Sequence, residues 1–256
     1  LETIFRNIYL IIIGKYFSAS QVGFYTRAET MKQLPVINIS NALHKVTYPL
    51  FSSIQDDGDR LKRVYKEIMQ LVIFLISPIL IFLMVLAEPT FRFLFTEKWL
   101  PAVPYFQILC ITGILYPIHA YNLNILNVKG RSDLVLKLEI IKKVIIVFTI
   151  IISIRYGIMA LLYGQVFYNL IFFLINSHYT GKLINYSAFE QVKDIFPAIL
   201  LSTLVGGLIF VLDYFQLYKF IDIWRLLLGG IFGLTVYLSL AYFLKIKSLF
   251  DLKKIL

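Results

Sequence analysis

The sequence predicts an all-α fold: a polytopic membrane helix bundle of about eight transmembrane helices. Three observations carry this. First, 59% of the 256 residues are hydrophobic and only 16% are charged, against about a quarter charged in an ordinary soluble domain. Second, mean hydropathy is +0.78, too high for one water-soluble core. Third, the apolar residues fall in runs long enough to cross a bilayer, which takes roughly 20 residues at 1.5 Å each.

Five runs reach about that length without Asp, Glu, Lys or Arg: 68–87, 99–128, 156–181, 195–212 (slightly short) and 226–244. Two more have helical pattern interrupted by charge, 24–54 and 134–154, and an incomplete run, 4–18, opens the chain. None shows the alternation over about ten residues of a barrel strand. The connections are short and polar. QDDGD at 55–59 and KGRSD at 129–133 read as turns, and the mixed stretch 182–194 reads as an interfacial helix.

Eight spans place alternate connections on one side. Arg60, Lys62, Arg63, Lys66, Lys129, Arg131, Lys137, Lys182, Lys193, Lys245, Lys247, Lys253 and Lys254 share a side, thirteen against seven on the other. Basic loops are retained inside, so this side and the C-terminus are expected in the cytoplasm. The formal charge of +10 then points to anionic membrane lipids as partners, not to nucleic acid. The chain starts with Leu1 and shows no signal peptide, which reads as a fragment or the tail of a longer gene product.

The chemistry-bearing motifs are few. No G-x-x-x-x-G-K-[ST] loop is present, His44, His119 and His178 are widely spaced, and Cys110 is the single cysteine. Neither an ATP site nor a metal centre is expected, and no cofactor. The external connections offer few acids or bases, so an enzyme is not expected.

The second span is the informative one. At 100° per residue, Arg27 and Lys45 stand five turns apart on one face, with Asn38 and Asn41 beside them. A cation near the bilayer centre costs at least about 2.5–3.5 kcal/mol and normally faces a bundle interior or a wet cavity. One reading makes this face the lining of a cavity; the other has Arg27 and Lys45 snorkel to opposite interfaces. Lys32, about 140° away, reads as a snorkelling or interhelical residue. Glu139 and Lys143 read as a self-neutralising i,i+4 pair. On the fourth span Tyr116, His119 and Asn122 step by three, for interhelical hydrogen bonds or for a cavity. Pro35, Pro49, Pro78 and Pro117 fall within spans.

Several local patterns, in order, resemble one known family. They are Ile13-Gly14-Lys15, the run SQVGFYTRA from Ser20 to Ala28, Leu34-Pro35, YPLFSSIQDD from Tyr48, FTEKWLPAVP from Phe95 and KGRSD from Lys129. Together they resemble the Wzx-type polysaccharide flippases of the multidrug/oligosaccharidyl-lipid/polysaccharide exporter superfamily, over about the first 140 residues. One departure is Thr96, where that family often has glycine.

The resemblance implies two six-helix lobes, often followed by two extra helices. Residues 1–183 would be the C-terminal lobe, and 184–256 an interfacial segment with the two additional helices. It implies alternating access for a polyprenyl-pyrophosphate-linked oligosaccharide in a bacterial inner membrane, in the building of O-antigen, capsule or exopolysaccharide. The partner would be the N-terminal lobe of the same transporter. By this analogy Arg27 and Lys45 hold anionic groups, Asn38 and Asn41 bond headgroup or sugar, and His119 joins the cavity. Alternatives are a drug/cation antiporter on the same scaffold, which favours buried acids such as Glu29 and Glu139, a non-transporting membrane scaffold, and a glycan ligase or polymerase.

Overall fold

The computed structural model describes residues 7–250, and among them there is no strand. The start of the first expected span (4–6) and the lysines Lys253 and Lys254 lie outside the described residues. The helices are α1 Ile8–Tyr16, α2 Ala19–Ser53, α3 Gly58–Val85, α4 Ala87–Phe95, α5 Val103–Val128, α6 Ser132–Ser153, α7 Ile158–Ile184, α8 Ala188–Phe215 and α9 Asp222–Phe243. Apart from short α4, each corresponds to one expected span. Five segments, built on α3, α5, α7, α8 and α9, are long and apolar enough to cross a membrane. The protein is a helical membrane bundle.

Helix starts follow local chemistry. Ser18 caps α2 in a reciprocal box with Gln21, so this helix begins five residues before the apolar run suggests. Ser187 and Glu190 form the same box on α8. The stretch 182–194 is therefore no separate interfacial helix. Asn185, in the left-handed conformation at φ +51°, ends α7, and α8 runs unbroken from Ala188 to Phe215 through Pro197. The run expected at 99–128 is also divided. A 3₁₀ turn over Glu97–Ala102 precedes α5, because Pro101 and Pro104 withhold the N–H groups an α-helix would need there. Thr96, which opens that turn, sits at φ +74° and ψ 169°, a region essentially reserved for glycine.

α5 is central, packing on α2, α3 and α7. α6 lies on α7, while α8 and α9 pack on α3 and on each other. Small residues let these helices approach closely: a Cβ on Gly206 would stand 2.6 Å from Ile81, and one on Gly233 2.5 Å from Ile209. Polar contacts fix the α3–α8–α9 unit along its length. At one end Lys66 pairs with Asp194 at 2.7 Å and Tyr186 donates to Asp194 at 2.6 Å. Midway, Ser77 and Ser202 share a hydrogen bond of 2.8 Å and Tyr237 donates to the Phe74 carbonyl at 3.0 Å. At the far end Arg225 grips Asp213 through two bonds of 2.7 and 2.9 Å. Buried partners of this kind replace the water that hydrocarbon cannot supply.

Candidate functional site

α2 positions the candidate site. Its 35 residues extend about 52 Å at 1.5 Å per residue, more than the bilayer core of about 30 Å. One face is buried through Tyr25, Ala28, Lys32, Val36, Ser40, Thr47 and Phe51. The opposite face is exposed and mixed: Thr26, Thr30, Gln33, Asn38, Asn41, His44 and Lys45 stand among the apolar Leu34 and Ile37.

Asn38, Asn41 and Lys45 stand together on that exposed face, turned away from the other helices of the chain. Arg27 is half-buried. Its guanidinium carbon lies 4.6 Å from the Phe95 ring centre and 5.0 Å from that of Trp99, which draws it to the end of the bundle formed by α4 and the 3₁₀ turn. A planar cation stacked this way keeps its N–H edge for anions. His119 does not join this group. It turns to α7, with its Nδ1 3.4 Å from Asn176 and its ring 6.4 Å from Phe172, because α5 presents that side to α7. Tyr116 is 49% exposed while Asn122 is fully buried, so the three residues spaced by three form no common site. Asn122 instead bonds Ser177 of α7 and Gln191 of α8 at 3.4 and 3.3 Å.

Of its two readings Lys32 takes the interhelical one: it is 8% exposed, its stem lies against Gly113 of α5, and its Nζ lies 2.6 Å from Glu29 Oε1, which also accepts from Gln33 at 2.7 Å. The i,i+3 spacing signalled this pair. Glu139 bonds Lys142 at 3.0 Å, a lysine that is 7% exposed and whose ammonium lies over the Phe172 ring of α7 at 5.8 Å.

Further residues on α2 had no sequence signal. His44 Nε2 is 3.1 Å from Asn124 Oδ1, and its ring stacks on Tyr48 at 5.8 Å and 16°. In the half of α2 nearer Arg27, a cavity of about 290 Å³ lies between α1, α2, α6 and α7, lined by Tyr9, Tyr25, Thr26, Glu29, Thr30, Gln33, Ile146, Gln165 and Tyr168 among others. The groove at the α8–α9 end, about 590 Å³, is lined by Glu88, Asp213 and Arg225 with apolar neighbours. Among the described residues no group of three or more His, Cys, Asp or Glu is placed to hold a metal.

Comparison with known proteins agrees with the motifs. Residues 1–104 match the family described as polysaccharide biosynthesis protein. The chain is 30% identical over 128 residues to the teichuronic acid biosynthesis protein TuaB of Bacillus subtilis, covering 50% of this chain and 26% of that one. It is 26% identical over 147 residues to the lipopolysaccharide biosynthesis protein WzxC of Escherichia coli, covering 57% and 30%. It is 28% identical over 109 residues to the succinoglycan biosynthesis transport protein ExoT of Rhizobium meliloti, covering 42% and 22%. The matched stretch thus spans less than a third of each relative's length. No solved structure matches the chain. Over its first 104 residues the chain is similar to the family described as polysaccharide biosynthesis protein, and the resemblance to Wzx-type polysaccharide flippases is borne out.

Proposed function

We propose that this chain is one lobe of a membrane flippase, followed by two additional helices, that moves polyprenyl-pyrophosphate-linked oligosaccharide for surface polysaccharide. The single observation behind the proposal is the group of Asn38, Asn41 and Lys45 on the exposed face of α2, a helix long enough to cross a bilayer. Such a face is costly against lipid tails and is accommodated if it lines a wet cavity closed by a second, N-terminal lobe. A pyrophosphate-sugar head cannot enter hydrocarbon unaided, while a polyprenyl tail stays in lipid. Lys45, and Arg27 through the free edge of its stacked guanidinium, supply positive charge for the pyrophosphate and for acidic sugars; Asn38 and Asn41 supply amide hydrogen bonds. The names of the relatives, which concern polysaccharide biosynthesis and transport, support transport over catalysis. A cation antiporter would want a buried acid free for its ion, whereas Glu29 is already paired with Lys32.

In this reading the protein resides in a bacterial inner membrane with its C-terminus cytoplasmic. The exposed cations Arg60 and Arg63 at the start of α3 then meet anionic lipid headgroups. The test is complementation in the full-length protein. Lys45→Ala with Asn41→Ala should abolish surface polysaccharide at unchanged protein abundance; loss of abundance instead would assign this face to assembly and overturn the proposal.

A further inference from the structure

We infer that the 290 Å³ cavity between α1, α2, α6 and α7 is a subsite for a single uncharged, hydroxyl-rich sugar ring; the inference rests on the transport reading above and assigns part of the glycan to a place. The argument is one of hydrogen-bond inventory. Glu29 Oε2 and Gln165 Oε1 are buried, and neither has a partner at hydrogen-bond distance among the described residues. Gln165 is 9% exposed. Buried polar atoms of this kind are rare without a ligand or water to complete them.

The mouth of the cavity offers acceptors as well. At the mouth, Thr26 donates to the Val22 carbonyl and Thr30 to the Thr26 carbonyl, each at 2.8 Å, so both hydroxyl oxygens have only acceptor capacity left. The Gln33 amide is committed to Glu29 Oε1 at 2.7 Å. Glu29 and Gln165 leave acceptors open while Tyr9, Tyr25 and Tyr168 bring hydroxyls that can also donate, so the cavity calls for an occupant that both donates and accepts. A monovalent cation is disfavoured because the Lys32 ammonium already neutralises Glu29 at 2.6 Å. A sugar acid is disfavoured because its carboxylate would add acceptors beside Glu29 and Gln165. Hydroxyl groups fit, and the tyrosine rings offer apolar walls to the C–H face of a sugar. The volume lies at the small end of ligand sites, which run from about 300 to 1,000 Å³, so it takes one ring and not a chain.

The probe is a diazirine-bearing methyl glucoside photolysed with the 256-residue chain in lipid nanodiscs, and the label is mapped by peptide. Labelling of the segments carrying Tyr9–Gln33 and Gln165–Tyr168 is expected, reduced at least about fivefold by excess unlabelled methyl glucoside and unchanged by glucuronate or sodium chloride. Gln165→Leu should reduce it by a similar factor, roughly the value of one hydrogen bond, and Thr30→Val at the exposed mouth does the same without touching the core. Suppression by sodium chloride alone would make this a cation site and overturn the inference. Equal competition by glucuronate, or labelling indifferent to both variants, would overturn it too. The readout needs no transport, so its failure leaves the flippase proposal standing, whereas labelling retained after a failed complementation test would show a sugar site with no part in transport.

Discussion

Glu29 and Lys32 lie one helical turn apart on α2, joined at 2.6 Å, with the lysine's aliphatic stem pressed on Gly113 of α5 so that a Cβ there would sit 3.0 Å from Lys32 Cγ. The pair thus serves two purposes: it neutralises a charge inside the bundle, and it fills the α2–α5 contact.

Removing one member leaves the other charged and buried. Lys32→Met should cost about 3 kcal/mol, the lower end of the range for breaking a buried pair, because Glu29 keeps 20% side-chain exposure. Glu29→Gln combined with Lys32→Met should recover most of that loss. Thermal unfolding in nanodiscs reads both, and a double variant no better than the single would show that packing dominates.

Arg27 is held by ring faces. Arg27→Lys keeps the charge but loses the planar stack on Phe95 and Trp99, and a loss of about 0.5–1 kcal/mol is expected. Trp99→Ala should lose more, because ring packing against Phe24 at 6.0 Å goes with it. The comparison is one of melting temperatures across the two variants.

Thr96 at φ +74° is strained where glycine would not be. Thr96→Gly should raise stability by about 1 kcal/mol, measured as slower thermal inactivation. A neutral or destabilising result would mean that the Thr96 side chain makes a compensating contact.

Tyr186, in the link between α7 and α8, is pushed well above the ordinary tyrosine value by burial and by its bond to Asp194. A raised folded value means the contribution is complete below the unfolded value, about 10, and is lost as pH rises through the folded one. Wild type should therefore lose stability above pH about 10 more steeply than Tyr186→Phe, while near neutrality the variant is weaker by about 1 kcal/mol. Unfolding followed from pH 7 to 11 gives the two slopes.

The sequence by itself determined the class and the helices. Apolar runs, their lengths and the Ser18/Gln21 and Ser187/Glu190 spacings are local properties, and hydrophobicity adds up along a chain without reference to neighbours. It also carried the family motifs, and the departure at Thr96 marked the position where the backbone takes up a glycine conformation. Only the tertiary structure decided how each helix turns about its axis. Arg27 and Lys45 share a face by periodicity, yet Phe95 and Trp99, seventy residues away along the chain, take one of them and leave the other exposed. Lys142 is buried against α7 and bonds Glu139, and His119 is claimed by α7 as well. The cavity on α1, α2, α6 and α7 is made by four helices at once. Rotation and partner choice are settled by contacts between residues far apart in sequence, and no local pattern contains them.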